Sequence, residues 1–392
     1  MAFSTARGNA FDPPATIRDI HANEPLTRLR FTDGRLGWLV TGYSTARTVL
    51  TDPRFGARGE NEHPAVPRAV TLAEYPAVPP GMPVRPENLE HQRYRTLLAG
   101  QFTADRIHRL TGWTEKATGE LLDAMERTGS PADLIAHYAL PLPALLIGEL
   151  LGVPHADRER FGHDAAVWSG HGTSAEEITA AFASLVAFLH RLVALKRARP
   201  GDDILSGLMR ADPALTDEEL AALAFLLLIA GHEATAHQLG LAVFALLGDP
   251  AQLAALRADR SLTDGAVEEL LRYLSVVHHG PTRAARQDVD LGGTTVRAGE
   301  VVVVSLAAAN RDPRRFTDPE RLDVTRDAAG HLAFGHGIHR CLGGQLARIA
   351  LRAGLTALLD RFPDLRLAVP AAEVPLRHDA QVHGVLRLPV AW

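Results

Sequence analysis

Apolar residues return at helical spacing through the middle of the chain. From about residue 91 to 275, Leu, Ala, Val and Ile recur every three or four positions, which predicts amphipathic helices. TSAEE at 173–177 and TDEE at 216–219 place a hydroxyl residue three positions before an acid, the spacing of a helix capping box. VPHAD at 153–157 separates two of these helices. The pattern therefore predicts a large helical body.

The most apolar run is LAALAFLLLIAG at 220–231, directly after the acidic TDEE. A bilayer-spanning helix needs about 20 apolar residues, so we interpret this run as the first half of a buried central helix. The first twenty residues, MAFSTARGNAFDPPATIRDI, lack the apolar core of a signal peptide. We therefore expect a cytoplasmic protein without a membrane segment.

The pattern changes near residue 283. RAARQDVDLGGTTVRAGEVVVVSLAAANRD predicts three short strands joined by Gly-Gly and Ala-Gly turns. A long helix is expected from about 342 to 361, followed by short strands with proline-containing turns. Near the N-terminus, WLVTGYSTARTVLTDPRF at 38–55 predicts a strand and a helix that ends at Asp-Pro. Strands and helices do not alternate, so the expected fold class is mainly α with small β-sheets.

Composition and charge narrow the class of protein. The 392 residues are 46% apolar and 22% charged, as in a globular protein with a large core. The net charge of −5 comes from mixed signs, which gives no electrostatic footprint for nucleic acid. We predict one domain over 1–392, with a helix-rich body at about 91–275 and a β-rich portion at about 276–392.

The single cysteine, Cys341, lies in AFGHGIHRCLGGQLARIAL at 333–351. One cysteine excludes an intrachain disulfide framework, which favours a reducing compartment. At a helix N-terminus its sulfur would face unpaired N–H groups and the positive end of the helix dipole, and both favour the thiolate. Four glycines, at 335, 337, 343 and 344, leave room for something flat against the sulfur. This chemistry suits a metal ligand better than a nucleophile.

The residues around Cys341 leave three other interpretations open. The side chain is first a small hydrophobe that a core can bury. A Cys–His nucleophile is a second possibility, because the chain has 18 histidines. A zinc site built on His336, His339 and Cys341 is the third, although a closed structural site needs a fourth ligand.

The segment FGHGIHRCLGG resembles the haem-binding loop of the cytochromes P450. The resemblance implies the cytochrome P450 fold, with haem b between the central helix and the cysteine loop and Cys341 as axial thiolate. It places Phe334 near the sulfur and His339 at a haem propionate. The matching positions are Phe334, Gly337, His339, Cys341 and Gly343.

The resemblance extends from about residue 36 to the C-terminus and is to soluble bacterial members. EELLRY at 268–273 supplies a Glu-x-x-Arg pair, Glu269 and Arg272, which the family uses structurally. ENLEHQRYR at 87–95 matches a family helix whose His91 and Arg95 would bind a propionate. Arg283 matches another propionate-binding arginine. Propionates near an apolar pocket need such basic partners.

The central segment LLLIAGHEATAHQLG at 226–240 departs from the family pattern. Gly231 and Glu233 match it, but the position of the family's proton-relay threonine is Ala234, and Thr235 follows. Three explanations stay open: a substrate hydroxyl with ordered water replaces the threonine, Thr235 replaces it, or the enzyme couples radicals without inserting oxygen. Glu233 could also act through water alone. His232 and His237 are further relay candidates, although structural contacts are the simpler expectation.

The resemblance implies O2-dependent hydroxylation of a small apolar or aromatic secondary metabolite, with substrate- or water-assisted proton delivery. One alternative is oxidative C–C or C–O coupling of aromatic or indole-type substrates. A haem-binding sensor without turnover is the non-enzyme alternative.

Partners and substrate contacts are also implied. The chain has no dinucleotide or flavin fingerprint, so a ferredoxin and its reductase are expected to supply electrons, docking at Arg340 and Arg348 with Arg93. Substrate contacts are expected from four segments: the proline-rich 56–86, 165–185, 226–238, and 276–280 with His278 and His279.

Overall fold

The computed structural model describes most of the chain. Of residues 89–91 it describes the backbone alone. The described residues are 7–14, 17, 20, 24–31, 34–56, 89–168, 173–277, 280–377 and 381–392.

Helices make up most of the described residues, as the periodicity predicts. A π-helical turn, Ile135–Ala139, precedes the fourth helix. In chain order the helices are α1 Tyr43–Thr51, α2 Leu89–Ala99, α3 Ala104–Thr128, α4 Pro141–Leu151, α5 Arg158–Trp168, α6 Ala175–Ala198, α7 Ile204–Ala211, α8 Asp217–Gly248, α9 Pro250–Ala258, α10 Thr263–Leu274, α11 Leu306–Ala309 and α12 Gly344–Arg361.

The strands are short and belong to small sheets. The largest sheet has the order β1-β2-β8-β5-β3, in which β2 and β8 are parallel and the other pairs antiparallel. In chain order the strands are β1 Leu26–Arg30, β2 Leu36–Val40, β3 Phe55–Gly56, β4 Ala132–Asp133, β5 Thr282–Ala285, β6 Val289–Asp290, β7 Thr295–Val296, β8 Val301–Val304, β9 Arg366–Leu367, β10 Leu376–Arg377, β11 Gly384–Val385 and β12 Pro389–Ala391.

The chain divides into two compact units. The first, here called the sheet unit, holds the largest sheet, α9 to α11 and the cysteine loop, and comprises residues 1–69, 241–344 and 376–385. The second, the helical unit, comprises residues 70–240, 345–375 and 386–392. The expectation of a single domain over the whole chain stays a prediction.

The core of the sheet unit lies on both faces of its largest sheet. Val302 and Val304 of β8 pack in one hydrophobic cluster with Trp38, while Val303 packs in another with Leu39. A strand covered on both faces needs apolar residues at every position rather than at alternate ones. This burial explains the run VVVV, which periodicity alone does not assign to a strand or a buried helix.

Helices in the helical unit approach each other closely at a glycine. A Cβ at Gly354 of α12 would lie 3.2 Å from side-chain carbons of Leu142 and Leu239. The Tyr138 hydroxyl donates to the Gly354 carbonyl oxygen at 2.8 Å, and burial raises the pKa of this phenol. A buried hydroxyl with a backbone acceptor ties the π-helical turn to α12 and satisfies its own polar atom.

The central helix α8 has two buried stretches with an accessible stretch between them. Residues 220–225 and 235–246 are buried, whereas 226, 227, 229–231, 233 and 234 are partly or fully exposed. By length and composition, α8 and α6 would each suffice to cross a membrane, but 61% of the apolar window of α8 is buried within the protein. The prediction of a buried central helix is confirmed.

Most predicted element boundaries are confirmed. Ser174 and Glu177 form a capping box at the start of α6, and Thr216 with Glu219 does so before α8. Helix α1 ends at Thr51, before Asp-Pro. The expected loop at 56–86 lies outside the described residues from residue 57 onward, as do His278 and His279.

Candidate functional site

The cysteine loop is a compact turn that leads into α12. The Cys341 N–H donates to the Phe334 carbonyl oxygen at 2.8 Å, which closes the loop three residues before the helix begins at Gly344. Gly335 and Gly337 have φ angles of +69° and +72°. A Cβ at Gly337 would lie 2.3 Å from the Leu50 carbonyl oxygen, so glycine is required for the loop to rest on α1.

The surroundings of the sulfur suit a flat prosthetic group. Cys341 is exposed, which excludes its interpretation as a buried hydrophobe. Among the described residues, no heavy atom outside their own chain neighbours lies within 4 Å of the position that a Cβ would take at Gly335 or Gly343. A soft thiolate next to this open glycine cradle, before a helix N-terminus, provides the donor and the room that haem-thiolate ligation needs.

A zinc site has no comparable support. In the part of the chain that the structure describes, no group of three or more His, Cys, Asp or Glu side chains is arranged to hold a metal ion. His336 instead accepts a hydrogen bond from Arg47 Nε at 3.2 Å. Burial, with the positive charges of Arg47 and Arg340, lowers the pKa of His336 and keeps its ring neutral.

The predicted Glu269–Arg272 pair forms and is fully buried. Arg272 Nε and Nη2 donate to the two carboxylate oxygens at 2.7 and 2.9 Å, and both side chains are 0% exposed. Arg272 Nη1 also donates to the carbonyl oxygens of Asn310 and Pro319. Arg326 adds a second cation to Glu269 at 3.1 Å. The pair therefore holds α10 to the segment that precedes the cysteine loop, and removing one partner would strand a buried charge.

Arg283 and His339 are the predicted propionate ligands of the sheet unit. Arg283 lies on β5, is 5% exposed and donates from Nη1 to the Thr282 carbonyl oxygen at 2.9 Å. A guanidinium has five N–H donors, enough to hold a backbone oxygen and a carboxylate together. His339 ends the 3₁₀ turn Gly337–His339 and is half-buried.

The predicted relay residues lie on the central helix of the helical unit. Glu233 and Ala234 fall in its accessible stretch, but Thr235 is only 9% exposed. Successive helical residues are about 100° apart, so Thr235 points away from the accessible face. A Cβ at Gly231 would lie 2.5 Å from Ile147 Cδ1, so this glycine lets α8 pack closely against the Ile147 side chain of α4.

The two histidines on the central helix are buried and serve its packing. His232 Nε2 donates to the Leu140 carbonyl oxygen at 3.1 Å, because a carbonyl can only accept. Burial lowers the pKa of His232 to about 4, so the ring is neutral. His237 is 0% exposed. The simpler expectation of structural contacts is confirmed for His232.

Helix α2 carries the remaining two predicted ligands. Arg95 is half-buried, while the side chain of His91 lies outside the described residues. Their neighbour Arg93 pairs with Asp212 at 2.7 Å and with Glu219 at 3.1 Å. Two carboxylates offset this charge, which argues against the expected role of Arg93 in a docking face.

The sequence-predicted residues are thus divided between the units. The sheet unit carries the cysteine ligand and its surroundings, and the helical unit carries the relay positions and the α2 ligands. Those of the sheet unit are Arg283, Phe334, Gly337, His339, Cys341 and Gly343, and those of the helical unit are His91, Arg95, Gly231, Glu233, Ala234 and Thr235.

Four residues near the cysteine loop escaped the sequence reasoning. They are Arg47, Glu268, Asn310 and His331. Arg47, Glu268 and Asn310 come from distant parts of the chain and contact His336, His331 and Leu332 respectively. In the sequence, these four residues lie within the part of the chain that resembles the family. Nothing in the sequence separates them from the other polar residues there.

Comparison with known proteins identifies the family. Residues 187–389 match the family model Cytochrome P450. The chain is 64% identical over 392 residues to Cytochrome P450 105C1 of Streptomyces sp, covering 100% of this chain and 98% of the relative. It is 42% identical over 390 residues to Cytochrome P450 monooxygenase PikC of Streptomyces venezuelae, covering 98% and 92%.

Comparison with solved structures supports the same family. The crystal structure of CYP105P1 in its wild-type ligand-free form superposes with a TM-score of 0.90 at 41% identity, covering 99% of this chain and 98% of that one. Fold, cysteine loop and end-to-end identity all point to one family of haem-thiolate oxidoreductases. The chain belongs to the cytochrome P450 family.

Proposed function

We propose that this cytochrome P450 binds haem b through Cys341 and hydroxylates a small organic secondary metabolite with O2. The observation that carries the proposal is the exposed Cys341 in its open glycine cradle, held by the Phe334 carbonyl and preceding α12. A bound haem with a thiolate ligand supplies the oxygen activation, because the thiolate donates electron density that favours O–O cleavage.

The side chains around that group have distinct tasks in the proposal. Cys341 provides the metal ligand, and Phe334 packs near its sulfur. The four basic residues His91, Arg95, Arg283 and His339 offset the propionate charges, which need cationic partners in an apolar site. Gly343 keeps the approach to the sulfur clear of side chains.

Proton delivery is proposed to use the substrate or ordered water. A general acid must reach its acceptor directly or through one water, and Ala234 has no hydrogen to donate. The burial of Thr235 argues against a simple replacement by that hydroxyl. Glu233 remains on the accessible stretch of the helix and can exchange protons with water there. A substrate hydroxyl next to Ala234 would complete the path.

Oxygen insertion is favoured over the alternative of oxidative coupling. The PikC protein, 42% identical over nearly the whole chain, is named a monooxygenase. Coupling of aromatic or indole-type substrates stays the second candidate because Ala234 removes the usual donor. The sensor alternative has no comparable support, because PikC is named a monooxygenase.

Electrons are proposed to come from a ferredoxin and its reductase. The protein is proposed to act in the cytoplasm, and its whole chain to form one P450 domain. In the sheet unit, Arg340 and Arg47 lie near His336. Ile338, between His336 and Arg340 in sequence, is 58% exposed. An apolar residue with a cationic rim suits a small acidic protein. Arg348 is the further expected contact.

The first test concerns the metal ligand. We expect the reduced, CO-bound protein to show the far-red Soret band of thiolate ligation, and Cys341→Ser to lose it. Cys341→Ser keeps the size and exposure of the side chain, so far-UV circular dichroism should remain unchanged. A far-red band that survives the substitution would contradict the assignment of Cys341.

The second test concerns proton delivery. With a substrate that lacks its hydroxyl, we expect the wild type to release about tenfold more peroxide per product, and Ala234→Thr to restore coupling. Ala234→Val is the matched control, because valine has the shape of threonine without the donor. Equal coupling with both substrates in the wild type would count against the substrate-assisted path.

A further inference from the structure

The side chain of His331 lies between α10 and the cysteine loop and contacts both. His331 Nε2 is 3.1 Å from Glu268 Oε2, and the imidazole is 2% exposed. Its other nitrogen, Nδ1, accepts the Ala333 N–H at 3.1 Å. The ring thus links a carboxylate on α10 to the backbone of the segment that leads to Cys341.

These two contacts determine the tautomer. A backbone N–H can only donate, so Nδ1 carries no proton and must accept. The neutral ring therefore carries its hydrogen on Nε2, where it donates to Glu268. A carboxylate acceptor makes this bond stronger than one between neutral groups. No other common side chain of this size accepts at one ring edge and donates at the other.

A short series of hydrogen bonds continues from His331 to the sulfur-bearing residue. The Leu332 N–H donates to Asn310 Oδ1 at 2.6 Å, and Gly335 N–H donates to the Leu332 carbonyl at 2.8 Å. The imidazole packs beside Phe334, with ring centroids 5.8 Å apart. The Phe334 carbonyl in turn accepts the Cys341 N–H. The position of the Cys341 backbone therefore depends on how the segment after His331 is held.

The neighbouring ion pair does not perform this task. Glu269 and Arg272 hold residues 310–326 through the contacts described above. Glu268, one position earlier on α10, makes the contact to the loop segment itself through His331. Two adjacent carboxylates on one helix thus hold two successive parts of the chain.

We propose that Glu268 and His331 are positioning residues for the thiolate ligand. They hold residues 331–334 so that Phe334 and the Cys341 N–H keep the sulfur in its ligating orientation. The proposal rests on the proposed ligation of haem by Cys341 and adds the control of that ligation by a second pair on α10. It concerns retention of the thiolate bond, not contact with substrate.

Matched variants separate the two bonds of the ring. His331→Phe keeps an aromatic ring beside Phe334 but makes neither bond. His331→Asn keeps an acceptor for the Ala333 N–H, as in an Asx turn, but is too short to reach Glu268. Glu268→Gln keeps an acceptor oxygen and removes its charge. Glu320→Gln is the control, because it likewise removes the charge of a carboxylate, one that lies 2.6 Å from Arg311 elsewhere in the sheet unit.

The measurement is the rate at which haem-loaded, CO-bound protein loses its far-red band in mild urea, alongside global unfolding by far-UV circular dichroism. We expect His331→Phe to lose the band about tenfold faster than wild type, the scale of a lost charge-assisted hydrogen bond. His331→Asn and Glu268→Gln should show smaller accelerations. Glu320→Gln should lose the band no faster than its change in global stability accounts for.

The outcomes distinguish this inference from the proposed function. A wild type without the far-red band overturns the haem assignment and this inference with it. A wild type with the band and a His331→Phe variant that keeps it equally long overturns the inference alone. Band loss that merely tracks global unfolding in every variant, the control included, also overturns it, because the pair would then act on stability alone.

Discussion

Two glycines of the cysteine loop have nearly the same positive φ angle but different surroundings. Gly335 and Gly337 have φ angles of +69° and +72°. A Cβ would lie in open space at Gly335 among the described residues, but 2.3 Å from the Leu50 carbonyl oxygen at Gly337. The first position therefore tests the cost of the left-handed backbone, and the second adds a collision with α1.

We expect Gly337→Ala to be much more damaging than Gly335→Ala. An alanine in left-handed conformation costs about 1 kcal/mol, and only position 337 must also displace the loop from α1. Gly335→Ala should retain the far-red band of the reduced, CO-bound protein with a small loss of thermal stability. Gly337→Ala should lose most of the band. Equal behaviour of the two variants would show that the contact with Leu50 is unimportant.

Residue spacing predicted one buried contact and missed another. The i, i+3 spacing of Glu269 and Arg272 predicted their pairing, because both lie on one helix face. The contact of Glu268 with His331 joins residues 63 positions apart in sequence. Such a contact depends on how α10 and the loop segment pack, which no local pattern records.

Burial varies along the central helix α8. Residues 220–225 and 235–246 are buried, and between them lies the accessible stretch that holds Glu233 and Ala234. His232 lies on the opposite, buried side and donates to Leu140 near the start of α4. The polar histidine thus anchors the helix next to the positions proposed for proton delivery.

His232 should make stability depend on pH. Burial lowers its pKa from the ordinary 6.5 to about 4, so between these values the unfolded chain binds a proton that the folded protein does not. Stability therefore falls as the pH drops from 6.5 towards 4, by roughly 3 kcal/mol in total for this group. We expect His232→Gln, which keeps a donor for Leu140 without titrating, to be less sensitive over this range.

Urea unfolding at pH 7.5, 6 and 5 measures this difference. The stability advantage of wild type over His232→Gln should shrink steadily as the pH falls. His108→Gln on the exposed face of α3 serves as control and should run parallel to wild type. Parallel curves for wild type and His232→Gln would contradict the assignment of a buried, neutral His232.

At the scale of the whole molecule, the net charge does not describe the charge of each part of the surface. The chain carries a net −5, yet Arg47 Nε lies 3.2 Å from His336 Nε2, and after burial the charges of Arg47 and Arg340 further lower the pKa of His336. Attraction of an acidic donor depends on such local fields and is screened within about 10 Å at 0.1 M salt. A negative protein can therefore still bind a negative donor at one site.

The rate of reduction by ferredoxin should fall when the salt concentration rises and when the charge of Arg340 is reversed. We expect Arg340→Glu to slow reduction at low ionic strength about tenfold, with a smaller difference at high salt. Arg127→Glu, an exposed arginine at the end of α3, makes the same change in net charge and is the control. Equal effects of both substitutions would mean that only the total charge matters.

The sequence alone determined most of the elements and the residue expected to bind the cofactor. Periodicity and capping residues predicted the helices because these signals act within a few turns of one segment. The glycines and the helix start around Cys341 indicated a metal ligand, and the resemblance of this short stretch to the cytochrome P450 loop implied haem-thiolate chemistry before any contact was known.

Only the tertiary structure decided which polar side chains from distant segments act together. It paired Arg93 with Asp212 and Glu219, turned Thr235 into the buried side of its helix, and joined His331 to Glu268. These outcomes depend on packing between elements far apart in sequence. The same residue type is a docking charge, a proton donor or a structural contact according to the surface that packing leaves accessible.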